Sequence, residues 1–364
     1  MKKLFAGMCL VLLLGAIAQN LTAQSWSING PLPRWGHSAV FAQSASQMIV
    51  FGGAAGDTNL QQNNLNDVWR LSFLLNQSGA AYQWVQVHPS GAPPAPRYGP
   101  SAGYDPGSKR MIIFGGAEGH SSPCTNDSWV LTNAAGGSSS WIQLSPAGGP
   151  PAARWGQAGT YDPISNTLII FGGNDCFSTF FTDVWVLSNA NGVSGTPTWT
   201  QLSTSGGPAP RFEVGAVYDS TSNELIVFGG QGNGTYFNDV WVLSNANGSG
   251  GTPVWTQLFP TGTPPAVRGY VSATYDPTTN RMTIFGGTNT GGKLGDTWVL
   301  INANGVGGTP AWMQIAASST YFPYAREAHT AVYWPATNEM VIFGGDTTGV
   351  YFNDVFFLSH ANGQ

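Results

Sequence analysis

Charge is scarce in this chain. Only 9% of its 364 residues are Asp, Glu, Lys or Arg. There are four lysines, and two of them, Lys2 and Lys3, sit at the extreme N-terminus. No basic tract is present, so the footprint expected of a nucleic-acid-binding protein is missing. Cysteine is equally rare, with Cys9, Cys124 and Cys176 the full set. A single long apolar run occurs, at 4–18, and nothing after it is long enough to span a bilayer. Phosphate-cradling glycine motifs and a nucleophile elbow are both absent. What the chain does have is 49 Gly, 24 Pro and 12% aromatics. That mixture fits short strands and tight turns rather than helical bundles. Its 42% apolar content is too high for a disordered chain.

The N-terminus has the three parts of a secretory leader. Lys2 and Lys3 start it, 4–18 is its apolar stretch, and Ala16-Ile17-Ala18 or Leu21-Thr22-Ala23 supplies a cleavage motif. The expectation is a leader at 1–23 and a mature domain at 24–364. The alternative is a membrane anchor, for which about 15 apolar residues is short. Loss of Lys2 and Lys3 moves the net charge from -5 to about -7. The expected location is secreted or periplasmic, and the short Lys-Lys leader has a bacterial form. Cys124 and Cys176 then form an even pair in an oxidising compartment, a disulfide candidate.

The mature chain is an internal repeat. Phe-Gly-Gly occurs at Phe51, Phe114, Phe171, Phe228, Phe285 and Phe343, spaced 63, 57, 57, 57 and 58 residues apart. An arginine stands 17 residues before each: Arg34, Arg97, Arg154, Arg211, Arg268 and Arg326. Asp67, Asp127, Asp183, Asp239, Asp296 and Asp354 follow, each with an aromatic two residues on. Five units close with Trp84, Trp141, Trp199, Trp255 or Trp312. Each unit reads as four short strands, the first from Arg268 to Tyr275 and the third from Asp239 to Leu243 being examples. The sixth unit lacks a closing Trp. Trp26-Ser27-Ile28 reads as its missing fourth strand, a closure that would remove an open sheet edge.

Four-stranded units of this length, with Gly-Gly ending strand two, resemble the kelch family, whose period is about 50 residues. The resemblance covers essentially the whole mature chain. It implies an all-β fold, a six-bladed β-propeller with four antiparallel strands per blade, the last blade closed by the strand around Trp26. It also implies that ligands bind on the face where the second-to-third and fourth-to-first loops open. Galactose oxidase shares such repeats, but its copper-binding Tyr and His set cannot be assembled here. The aspartate boxes of six-bladed sialidases are also missing. Periplasmic sialic-acid mutarotases, similar in length and compartment, share the architecture alone.

Differences between the units direct the search for a site. The second-to-third loops are longest in units one to three, and Cys124 and Cys176 fall in those of units two and three. Bridged, they would close a loop worth about 4 kcal/mol. The arginines ring the channel mouth, either as an anion site or as structural partners of the repeat aspartates. In-register Arg and Asp favour the structural role. After each Arg comes Trp35, Tyr98, Trp155, Phe212, Gly269 or Glu327, and then Gly36, Gly99, Gly156, Glu213, Tyr270 or Ala328. Trp35, Tyr98, Trp155, Phe212 and Tyr270, extended by Phe177, are the candidate ligand surface; inter-blade packing is the equal alternative. Phe180 extends it in the same way, whereas Phe181 aligns with Phe237 and Phe352 and reads as structural. Glu213 and Glu327 are the catalytic candidates. His37 and His329 share a repeat position, but two His do not make a metal site. No metal and no cofactor are expected. The expected function is a non-catalytic binding module for a glycan or protein, as a monomer. The alternatives are a sugar-modifying enzyme of the mutarotase type and a structural propeller in a larger surface assembly.

Overall fold

The computed structural model describes residues 30–56, 63–76, 79–119, 123–316 and 322–364. The leader at 1–23 and the closing strand expected at Trp26 lie outside the described residues. Six antiparallel sheets follow one another along the chain. Blade one comprises Ser38–Ala42, Gln47–Ala55, Asn63–Asn76 and Gly79–Val87; blade two comprises Ser101–Asp105, Arg110–Ala117, Cys124–Thr132 and Ser140–Gln143. Blade three is Ala158–Asp162, Thr167–Phe171, Val184–Ser188 and Thr198–Gln201; blade four is Gly215–Asp219, Glu224–Phe228, Val240–Ser244 and Trp255–Leu258. Blade five is Ser272–Asp276, Arg281–Phe285, Thr297–Ile301 and Ala311–Ile315. The described part of blade six has three strands, Thr330–Trp334, Glu339–Phe343 and Val355–Ser359. The molecule is a six-bladed β-propeller.

The first strands begin later than the sequence suggests. Blade five's starts at Ser272, not Arg268, because the chain bends at Tyr270, where φ is +55°. The same bend recurs at Gly36, Gly99, Gly156, Glu213 and Ala328, all with φ between 50° and 63°. It has a purpose. Gly99 N–H donates to the Gly36 carbonyl, Gly156 to Gly99, Glu213 to Gly156, Tyr270 to Glu213, Ala328 to Tyr270 and Gly36 to Ala328, at 2.7–3.1 Å. These six bonds form a closed belt around the channel mouth.

A second belt runs through the Gly-Gly pairs. The second glycine of each blade donates to the carbonyl of the next blade's arginine, from Gly53 to Arg97 round to Gly345 to Arg34. A Cβ on Gly53 would lie 2.8 Å from the Trp35 carbonyl, so no larger residue fits. On the opposite face, Asn191, Asn247, Asn304 and Asn362 each donate to an aspartate of the preceding blade, Asp105, Asp162, Asp219 and Asp276, at 2.7–2.9 Å.

Between the belts lies the core. Each closing tryptophan packs on the Phe-Gly-Gly phenylalanine of the blade before it: Trp141 on Phe51, Trp199 on Phe114, Trp255 on Phe171 and Trp312 on Phe228, with Trp84 on Phe343 across the junction of blades six and one. Ring centroids are 4.8–5.2 Å apart, the spacing of favourable aromatic pairs.

The six arginines are 0–1% exposed, and each forms a fork with the aspartate of its own blade, one arm at 2.5–2.7 Å and the other at 2.9–3.0 Å. Each also donates to the carbonyl of the first glycine in its Phe-Gly-Gly. In blades three, four and six the guanidinium lies 4.0–4.1 Å over Phe181, Phe237 or Phe352. Removing one member of such a pair leaves a buried charge without its counterion, at a cost of several kcal/mol. Asp183→Asn is therefore expected to lower unfolding stability by about 3 kcal/mol. Denaturant titration checks this, and a loss below about 0.5 kcal/mol, typical of a surface change, would contradict it.

Candidate functional site

The residue after each arginine pairs with the residue after the second glycine. These short bridges join Trp35 to Ala54, Tyr98 to Ala117, Trp155 to Asn174, Phe212 to Gln231, Gly269 to Thr288 and Glu327 to Asp346. The side chains at these positions therefore border the channel mouth one blade apart. In blades one to four they are rings in contact. Centroids are 4.9 Å apart for Trp35–Tyr98, 5.2 Å for Tyr98–Trp155 and 5.2 Å for Trp155–Phe212. Blade five has only Gly269 there, and Tyr270 fills the gap 5.6 Å from Phe212. The arc is thus five rings long. Tyr98 and Phe212 are buried, whereas Trp35 and Trp155 keep partial exposure.

A cleft of about 260 Å³ opens beside the arc. Tyr98, Trp155, Phe180 and Phe212 line it together with Cys176 and Phe177. Cys124 and Cys176 form a disulfide, with Cα atoms 5.5 Å apart, that ties the loop of blade two to that of blade three. The blade-three loop is further fixed by its own side chains. Asn174 Oδ1 accepts from the Trp155 indole at 3.2 Å and from the Cys176 N–H at 2.8 Å. Asp175 Oδ1 accepts from the N–H groups of Phe177 and Thr179. Phe177 is held at the rim of the cleft with 74% of its surface exposed.

The other half of the mouth is charged. Glu327 forms an ion pair with Lys293, whose Nζ lies 3.9 Å from Asp346. Glu213 is part-buried, with its carboxyl beside Gly156. Burial, then the charge of Glu327, pushes its pKa up to about 8. Asp346 rises to about 7 through burial and Glu327, with Lys293 pulling the other way. Tyr270 is raised by burial and by Glu213 and Glu327. Of the two glutamates singled out in the sequence, Glu213 feels the charge of Glu327, and Glu327 stands beside Lys293 and Asp346. No ring arginine joins them, because each is engaged with its own aspartate. Asp346 and Lys293 were not foreseen. The signal for Asp346 was a carboxylate where the other blades have Ala54, Ala117, Asn174, Gln231 and Thr288.

His37 and His329 are buried and bridge blades. Nε2 of His37 lies 2.7 Å from Thr330 Oγ1, and Nε2 of His329 lies 2.7 Å from Ser272 Oγ. Burial holds both rings below the usual histidine value, His329 at about 3.

Comparison with known proteins decides the family. A family profile described as the KLHDC2/KLHL20/DRC7 Kelch-repeats domain matches at residues 11–206, 105–300 and 193–364. The chain belongs to the kelch-repeat family. Tip elongation aberrant protein 1 of Schizosaccharomyces pombe is 27% identical over 230 residues, 61% of this chain and 18% of that protein. Acyl-CoA-binding domain-containing protein 4 of Arabidopsis thaliana is 30% identical over 222 residues, 60% of this chain and 30% of its own length. The chain thus spans less than a third of either relative. The structure titled "Structure of YjhT" superposes with a TM-score of 0.63 at 14% identity, covering 91% of this chain and 96% of that one. At that identity the likeness is one of fold.

The kelch propeller carries opposed titrations. Glu213 ionises at about 8 when folded, against 4.5 unfolded, so its contribution is present below pH 4.5 and lost as pH rises toward 8. The buried histidines act at the other end, their contribution being lost as pH falls below about 6.5. Glu213→Gln is expected to raise Tm at pH 8 by a few degrees and to have little effect at pH 4.5. Thermal melts across this range check it; an equal shift at both pH values would contradict the assignment.

Proposed function

We propose that this kelch propeller is a non-catalytic binding module that seats an apolar side chain of a protein partner in the cleft between blades two and four. One observation carries the reading. An exposed phenylalanine, Phe177, stands at the rim of an aromatic cleft on a loop fixed by a disulfide. Rigid aromatic side chains around a preformed pocket are the usual anchors of protein recognition. The polar groups of Asn174 are already taken by Trp155, Cys176 and Thr179. Few groups are left there to meet sugar hydroxyls, which weighs against a glycan. Above about pH 8, where Glu213 and Asp346 are ionised, the adjoining carboxyls of Glu213, Glu327 and Asp346 outnumber Lys293. A basic residue beside the partner's apolar anchor would complement them. The disulfide supports action in an oxidising compartment, secreted or periplasmic.

The mutarotase-like alternative draws support from two carboxyls on the same mouth, Glu213 and Glu327, the second of which raises the pKa of the first. It is weakened by the arginines, none of which is available to clamp a sugar carboxylate.

Selection of a random peptide display library on the purified protein at about pH 8.5, where the carboxyls are ionised, tests the proposal. Enriched peptides should pair an aromatic or aliphatic residue with a nearby Lys or Arg. Trp155→Ala and Phe177→Ser should each weaken binding at least about tenfold, the loss of about 1.4 kcal/mol expected at an anchor position. Binding that survives both substitutions, or enrichment of acidic peptides, would overturn it.

A further inference from the structure

On the face opposite the channel mouth, an asparagine of one blade holds an aspartate of the blade before it. This latch joins the blades from two round to six. Between blades six and one, Phe73 stacks on Trp334 instead, with centroids 4.7 Å apart. Between blades one and two both members of the latch are alanine. Ala42 stands at the aspartate position and Ala135 at the asparagine position.

What remains at that junction is a set of donors. In blades three to six a tyrosine one residue before the aspartate position gives its hydroxyl to an asparagine five residues on, as Tyr161 does to Asn166 at 2.9 Å. Tyr218, Tyr275 and Tyr333 also lie beside the aspartate of the preceding blade. Tyr104 is the counterpart in blade two. It has Lys109 in place of the asparagine and Ala42 in place of the preceding aspartate. Tyr104 is 9% exposed, and its hydroxyl has no partner among the described residues.

Arg70 enters the same junction from blade one. The other blades have Val130, Val186, Val242, Val299 or Phe357 at its position. It lies on the side of strand three that carries Val68, which shares one core cluster with Ala42, Tyr104 and Ala134. Its Nε is buried without a partner, and its Nη1 would lie 3.5 Å from a Cβ on Gly136, next to Ala135. Lys109 meets the same turn, its carbonyl accepting from the Ala134 N–H at 2.9 Å. Elsewhere every described lysine or arginine is engaged. Six arginines hold their aspartates, Arg110 and Arg281 donate to the Asn191 and Asn362 carbonyls, and Lys293 pairs with Glu327. Arg70 and Lys109 are left, and they converge. The nearby carboxyl of Asp105 is already held by Gly107, Ser108 and Asn191.

We propose that the junction of blades one and two is a carboxylate-binding site on the face opposite the aromatic cleft. The ligand takes the part that an aspartate plays at four other junctions. The Arg70 guanidinium is a planar donor fork that matches a carboxylate, and Tyr104 adds a hydroxyl donor beneath it. Lys109, exposed in its turn, draws the anion in from solvent. Gln47, opposite Ala42, adds one unpartnered acceptor, Oε1, suited to an N–H or O–H beside the carboxylate. A small organic acid and the C-terminus of a partner protein offer the same group, and the test separates them.

The full chain is melted in sodium acetate and in sodium chloride of equal ionic strength. Acetate should raise Tm by about 2 °C more than chloride does. Arg70→Met and Tyr104→Phe should each abolish that difference. N-acetyl-tetra-alanine with a free C-terminus, and its C-terminal amide, form a second arm. Binding of the free acid at least about tenfold tighter than acetate, with the amide inert, assigns the site to a protein terminus; equal binding assigns it to a small acid. Ala42→Asp supplies the carboxylate from within. It should remove the response to acetate, and should lower Tm clearly less beside Arg70 than in the Arg70→Met background. No response to either probe, a response that survives Arg70→Met, or an equal cost of Ala42→Asp in both backgrounds would overturn the proposal.

Discussion

Everything in this propeller hangs on the arginine fork. The guanidinium is planar, permanently charged and carries five donors in a fixed geometry. Here the side chain uses them on both oxygens of an aspartate and on the carbonyl of the glycine 18 residues ahead. The backbone of the same arginine is also committed. Its N–H donates to the preceding blade, and its carbonyl accepts from that blade's second glycine. One residue therefore locks strands one, two and three within a blade and fastens that blade to its neighbour. Burying six charges is tolerable only because each is paired and hydrogen-bonded. The constant spacing of 17 residues from Arg to Phe is the sequence trace of that geometry.

For this reason the fold was legible in the sequence. Arg, Gly-Gly, Asp and Trp recur because the contacts recur, and a contact that repeats six times writes itself into the chain six times. The disulfide was legible by the same logic, since two cysteines in equivalent loops of neighbouring blades must lie close. The sequence left the rings after each arginine divided between packing and recognition. In the structure Tyr98 and Phe212 are buried in the packing between blades, and Trp155 is partly exposed at the cleft. Less could be read where residues from unlike positions converge. Lys293 comes from a loop of blade five, and no spacing connects it to Glu327 of blade six, whereas Asp346 keeps the 19-residue spacing of every blade and is marked only by its charge. The short hairpins of Gln231–Gly232 with Thr235–Tyr236 and their counterparts in blades five and six were hidden too, being only two residues per strand.

The belt at the channel mouth shows how symmetry and function part company. Each of its six positions requires a left-handed backbone, which costs a residue other than glycine about 1 kcal/mol. Blades one to three use glycine. Blades four and five place Glu213 and Tyr270 there, although the repeat has a less strained choice at hand. Neither residue adds a contact that the belt needs, since the bonds run through the main chain. Blade six places Ala328 there at the same cost, so strain alone does not mark a functional position; what Glu213 and Tyr270 add is a carboxyl and a phenol.

The belt has a further consequence for recognition. It uses the backbone N–H and C=O groups that would otherwise face a ligand, and the arginines beneath are locked to their aspartates. Recognition must then come from side chains at the two positions after each arginine and from the loops above them. These differ systematically around the ring. The first blades contribute rings, glycines and a disulfide-fixed loop, while the last contribute Glu213, Glu327, Asp346 and Lys293. A ligand touching only the aromatic half would bury apolar area with little to set its orientation. One touching only the charged half would have to desolvate carboxyls whose pKa values already reflect burial. A ligand that spans both gains area from one half and orientation from the other, and the short distance from Phe212 to Tyr270 and Glu213 brings the two halves within reach of a single peptide segment.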